Sequence, residues 1–80
     1  MNIERVISWF DKNTDQLLGE RNINNISLET LKDIFKPGIH DSLMYNPYTI
    51  FVREAEELKK YIDMDFDLNK FFYQLDCFQV

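Results

Sequence analysis

Eighty residues with nine basic and fourteen acidic side chains describe one domain, 1–80, because a chain this size buries only about 60 % of its unfolded surface and has no room for a second core. Hydrophobic residues make up 45 % and aromatics 15 %, too many for a disordered chain, and two Gly and two Pro exclude linker-like character. The net charge of −5 repels phosphate backbones, which argues against direct nucleic-acid binding as the main activity.

In chain order, Ile3 to Phe10 is rich in β-branched and aromatic residues and predicts a strand. Alternation places Ile3, Arg5, Ile7 and Trp9 on one side, with Glu4, Val6, Ser8 and Phe10 on the other. Asp11 to Asp15 are turn formers, and Gln16 to Ile23 reads as the second strand of a hairpin, with Gly19 at a bulge or a point of close approach. Asn24-Asn25 ends that strand. Ser27 is an N-cap, and Ile26 and Leu31 occupy the two positions of a hydrophobic staple. Leu28, Leu31, Ile34 and Phe35 then predict a short amphipathic helix over about 28–36, closed by Lys36-Pro37-Gly38, where Gly38 permits the sharp turn.

Residues 37–49 show no period, although Leu43, Met44, Tyr45 and Tyr48 suggest a loop that packs. A second helix is predicted from Ile50 or Phe51 to Ile62, with Phe51, Ala55, Leu58 and Ile62 as its apolar stripe and Glu56 to Lys60 as an i,i+4 ion pair. The C-terminal run from Phe71 to Val80 alternates as a strand, with Phe71, Tyr73, Leu75 and Cys77 facing one way and Phe72, Gln74, Asp76, Phe78 and Val80 the other. The expected fold is α+β, order β-β-α-α-β: a three-stranded antiparallel sheet, N-terminal hairpin plus C-terminal strand, with two helices on one face. Leu31, Ile34, Leu58, Ile62, Leu75 and Ile7 form its expected core.

Charge is distributed unevenly. Residues 1–53 carry seven acids and six bases, and residues 54–80 carry seven acids and three bases, net −4. Acidity in a small domain supports solubility, and it also complements a cationic partner. Cys77 is the only cysteine, so neither an internal disulfide nor a thiolate metal cluster is expected. The first residues hold no uninterrupted apolar stretch, which predicts neither a signal peptide nor a membrane span and leads us to expect a cytoplasmic protein.

Few residues suggest chemistry. His40, Asp41 and Ser42 are consecutive in a loop, and adjacent residues rarely reach triad geometry. No glycine-rich phosphate loop exists. Asp63, Asp65, Asp67 and Asn69 match positions 1, 3, 5 and 7 of a calcium loop, but Leu68 stands where glycine is needed and Gln74 where a bidentate Glu is needed. Simple alternation accounts for the segment better, with Ile62, Met64, Phe66 and Leu68 inward and the carboxylates in water. The same carboxylates could meet a cationic partner. Aromatics in surplus, among them Tyr45, Tyr48, Phe72 and Phe78, suit an interface with an aromatic centre and a charged rim.

Taken together, Glu4-Arg5-Val6-Ile7-Ser8-Trp9-Phe10-Asp11-Lys12, the Asn24 to Phe35 segment, Ala55 to Ile62 and the tail Phe72 to Phe78 resemble short uncharacterised bacterial proteins. Those are similar in size, acidity and layout to immunity proteins of polymorphic toxin systems, including contact-dependent growth inhibition. The resemblance implies a binder that neutralises a cognate, cationic protein toxin, such as a nuclease, by covering its active site. No catalysis, cofactor, metal or small-molecule substrate is expected, and no nucleic-acid or membrane partner. Expected contact residues are Asp63, Asp65, Asp67, Glu54, Glu57, Tyr45, Tyr48 and Phe78. The alternative is a small regulatory or phage-encoded adaptor that binds a host protein and mimics nucleic acid through its carboxylates.

Overall fold

In the computed structural model, which describes residues 2–80, the chain forms an antiparallel sheet with two helices on one face. Strand β1 (Ile3–Asp11) pairs with β2 (Leu17–Asn22) on one side and along its whole length with β4 (Phe71–Gln79) on the other. Between β2 and β4 run α1 (Leu28–Phe35), a single 3₁₀ turn (Ile39–Asp41), the two-residue strand β3 (Tyr48–Thr49) and α2 (Val52–Leu58). The sheet has four strands in the order β2-β1-β4-β3, not three. The added strand pairs Tyr48 with Leu75 and Thr49 with Gln74, too short a stretch to leave a period-2 pattern.

Local chemistry explains each junction. In the β1–β2 turn the Asp11 carboxylate accepts the Asn13 and Thr14 N–H groups, and Asp15 takes the left-handed conformation at φ 60°. Gly19 is a point of close approach, since the Trp9 indole lies against it, and the pairing register shifts beside it between Trp9 and Phe10. Past β2 the Asn24 side chain continues the ladder, its Oδ1 accepting the Arg5 N–H at 2.8 Å and its Nδ2 donating to the Ile3 carbonyl at 3.2 Å. Ser27 caps α1, its Oγ accepting the Thr30 N–H at 3.2 Å.

Two helix ends differ from expectation. The left-handed residue that closes α1 is Lys36 (φ 50°), whereas Gly38 is extended (φ −71°). Pro37 disfavours the right-handed helical region one residue earlier, so the reversal falls on Lys36. Helix α2 stops at Leu58, about a turn before Ile62, because the chain tightens into i→i+3 bonds from Lys60 N–H to Glu57 O and from Tyr61 N–H to Leu58 O. Ile62 still reaches the core. The ion pair is therefore Glu57–Lys60 at 2.5 Å rather than Glu56–Lys60. At the other end of α2, the Glu54 carboxylate accepts the Phe51 N–H at 3.1 Å, and phenylalanine has no acceptor to complete a capping box.

The core lies between the helices and the Ile7/Leu75 side of the sheet. All six residues expected to be buried are buried, joined by Ile23, Ile26, Met44, Ile50, Ala55 and Tyr73. Trp9, Phe35, Tyr48, Met64, Phe66, Leu68 and Phe71 close its margins. Tyr73 sits among aromatic neighbours, with the Phe66 ring edge-on at 5.0 Å, and its hydroxyl accepts the Asp67 N–H at 3.0 Å.

Candidate functional site

The residues named for chemistry are not assembled for it. Asp41 accepts the Tyr45 N–H at 2.9 Å, the Asn46 N–H at 3.2 Å and the Tyr48 hydroxyl, so its carboxylate organises the loop. The Tyr48 hydrogen bond is the main reason the Asp41 carboxyl is held below its ordinary value. Burial, then the Asp41 hydrogen bond and charge, pushes the Tyr48 phenol up to about 12. Two shallow clefts open on the surface, one lined by Ile3, Tyr45, Cys77 and Gln79, the other, about 400 Å³, walled by apolar residues with Lys12 and Arg53 at its rim. Neither lining holds a carboxylate or a histidine, so Cys77 has no base beside it there. Among the described residues no three His, Cys, Asp or Glu side chains converge on a point that would hold a metal. No helix is long and apolar enough to cross a membrane.

The expected contact residues fall into three places. Asp63 and Asp65 are exposed on the strap that carries Ile62, Met64, Phe66 and Leu68 across the core face. Asp67 departs from that pattern, because its carboxylate accepts the Asn69 and Lys70 N–H groups, both at 3.2 Å, and shapes the turn into β4. Glu54 and Glu57 lie on α2, each paired with a cation, Arg53 at 2.7 Å and Lys60 at 2.5 Å. Tyr45 is exposed in the loop and Tyr48 is half-buried against Phe35. Phe78 lies on the opposite side of the sheet from all of these.

That opposite side carries no helix. Strand pairing places Glu4, Val6, Ser8 and Phe10 of β1 there with Phe72, Gln74, Asp76 and Phe78 of β4, flanked by Leu17, Glu20 and Asn22 of β2. Phe72, Phe78 and Leu17 are 38 %, 44 % and 48 % exposed, large apolar side chains that a covered sheet would have buried. Phe10 and Phe72 pack with ring centroids 5.7 Å apart. At the centre, the Asp76 carboxylate accepts the Ser8 hydroxyl at 2.8 Å and the Gln74 amide at 2.7 Å. Ser8 and Val6, on the interior strand β1, are buried even on this face. Alternation sorted the β1 and the β4 residues each onto one side of its own strand, and strand pairing joins the two sets. The fixed Asp76 was missed, since nothing in a β-period shows which polar neighbours bond across strands.

Four of the nine basic side chains donate to the main chain. Arg5 donates to the Leu43 carbonyl, Lys12 to that of Leu68, Arg21 to that of Asp63 and Arg53 to that of Ile34, each tying a loop or helix to its neighbour. Only two ion pairs form among the described residues, which leaves most of the fourteen carboxylates without a cation.

No relative is found among curated proteins. A family model described as a domain of unknown function, DUF7683, matches residues 4–76, from the second residue of β1 to Asp76 in β4, and the chain therefore belongs to the DUF7683 family.

Proposed function

We propose that this chain is a stoichiometric protein binder that neutralises a cationic protein toxin by covering its active site, without catalysis of its own. The observation that carries the reading is the charge balance. Fourteen acidic against nine basic side chains leave a net −5, and with ion pairs engaging only Glu54 and Glu57 among the described residues, the surface keeps a negative field that a basic protein would neutralise. Exposed aromatics beside that charge, Tyr45, Phe72 and Phe78, are the residue type that dominates binding energy at protein interfaces. The resemblance to immunity proteins supplies the class of partner.

Asp63 and Asp65 steer the approach in this reading, and steering does not require that they touch the partner, since at low salt (about 10 mM) charge acts over about 30 Å. The test is co-expression with the product of the gene immediately upstream. A one-to-one complex that survives purification, together with protection of cells from that product, supports the reading. An upstream product that is harmless, or that the chain neither binds nor neutralises, overturns it.

A further inference from the structure

We propose that the helix-free face of the sheet is the docking surface, that its occupant is a cationic protein segment, and that Asp76 is the fixed acceptor for an arginine of that segment. This rests on the reading of the chain as a binder of a basic protein and adds where, and through which group, the partner is held.

Charge selects the occupant. The strand residues on this face include three carboxylates, Glu4, Glu20 and Asp76, while both basic strand residues, Arg5 and Arg21, pair with Cys77 and Ile7 on the core side. A second copy docking face to face would set those carboxylates against their equivalents with no cation between them, so self-association is disfavoured. A basic partner reverses the sign of that interaction.

Asp76 is built for a planar cation. A carboxylate offers about four acceptor positions. Ser8 and Gln74 use one on each oxygen and hold the group rigid, and both donors are neutral, so the charge is not cancelled. The remaining positions suit the two parallel N–H bonds of a guanidinium. Phe78 stands two residues along the same strand face, close enough for the guanidinium plane to stack on its ring. The dimensions are adequate: two nine-residue strands about 30 Å long and one six-residue strand about 20 Å long, each about 4.8 Å wide, give roughly 400 Å² in projection. A standard interface buries about 800 Å² per partner, so the rim beyond the strands supplies the rest.

The test uses the full chain, labelled with ¹⁵N, titrated with a capped peptide carrying two arginines and a phenylalanine. The expected result is amide shifts centred on Ser8, Gln74, Asp76 and Phe78, an affinity at least fivefold weaker in Asp76→Asn, and an unchanged affinity in Asp63→Asn/Asp65→Asn. Asn keeps an oxygen for Ser8, and Phe78→Ala, at an exposed position, provides a second variant that should weaken binding at least threefold. Shifts centred on residues 63–67 or on α2, or full affinity in both Asp76→Asn and Phe78→Ala, would overturn the proposal. So would concentration-dependent dimerisation through this face in sedimentation. The peptide test needs no toxin, so its failure leaves the neutralisation reading standing, and failure of the upstream complex leaves this face standing.

Discussion

Gly19→Ala tests the packing of the hairpin against the core. A Cβ at position 19 would lie 2.4 Å from Trp9 Cζ2, 2.7 Å from Cε2 and 3.0 Å from Cη2, whereas carbon atoms rest at about 3.5–4.0 Å. The indole must therefore retreat by about 1 Å. Tyr73 stands behind it, with ring centroids 6.3 Å apart, and Tyr73 is itself hemmed in by Phe66 and Phe71. Overpacking of this kind costs about 1–3 kcal/mol. Against it stands a gain of about 0.4–1 kcal/mol, because alanine restricts the unfolded chain and the backbone at position 19 has no positive φ to forbid it. The overlap wins, and the variant should lose about 1–2 kcal/mol, a fall in Tm of roughly 5–10 °C for a domain this size. Urea denaturation followed by circular dichroism measures it, in a cycle with Trp9→Val. Without the indole, Gly19→Ala should become neutral or slightly stabilising. Melting at or above the wild-type temperature, or additivity across the cycle, would refute the close approach.

Leu58→Ala should cost about 2–5 kcal/mol in the same assay, since Leu58 is fully buried between α2 and the sheet and cannot be replaced without a cavity; wild-type stability would contradict the core assignment. Lys36→Gly should stabilise by about 0.5 kcal/mol, because glycine takes the left-handed conformation at φ 50° without strain, and a loss of stability would contradict that conformation. Phenolate absorbance should show a step near pH 12 that is absent in Tyr48→Phe, and a wild-type chain without that step would contradict the bonded phenol. The sign follows from the direction of each shift. Tyr48, raised in the fold, contributes stability fully present below its ordinary value of 10.0 and lost as pH climbs towards about 12. Asp41, lowered in the fold, contributes stability present above its ordinary value of 3.8 and lost as pH falls through its lower folded value, so Asp41→Asn should flatten the acid limb of a stability–pH profile.

Strands and helices with a sustained period were legible in the sequence. Alternation over Ile3–Phe10 and Phe71–Gln79 sorted both faces, and Ser27 with Leu31 and Ile34 placed α1. Elements that depend on distant partners were not legible. Strand β3 exists because Leu75 and Gln74 offer a free edge, which leaves no local signature; Met44, read as part of a loop that packs, is buried, but its left-handed turn at φ 54° was not legible. The same limit applies to the candidate surface. Phe78 could be singled out as an aromatic beside acids, but Asp76 is fixed by Ser8, sixty-eight residues away, and only strand pairing brings them together. Conversely, Asp67 shares the spacing of Asp63 and Asp65, yet it is drawn into the turn that starts β4.

The most direct test of the central claim is the association rate of the chain with the product of the upstream gene, measured by stopped flow across ionic strength. Electrostatic attraction between an acidic binder and a basic partner raises encounter rates steeply at low salt, and screening removes that gain as the Debye length shrinks. The account predicts a rate that falls at least tenfold between about 10 mM and about 150 mM salt, is slower at low salt when Asp63, Asp65 and Asp67 are all replaced by Asn, and is accompanied by faster dissociation in Phe78→Ala. A rate indifferent to salt and to the triple replacement would contradict it.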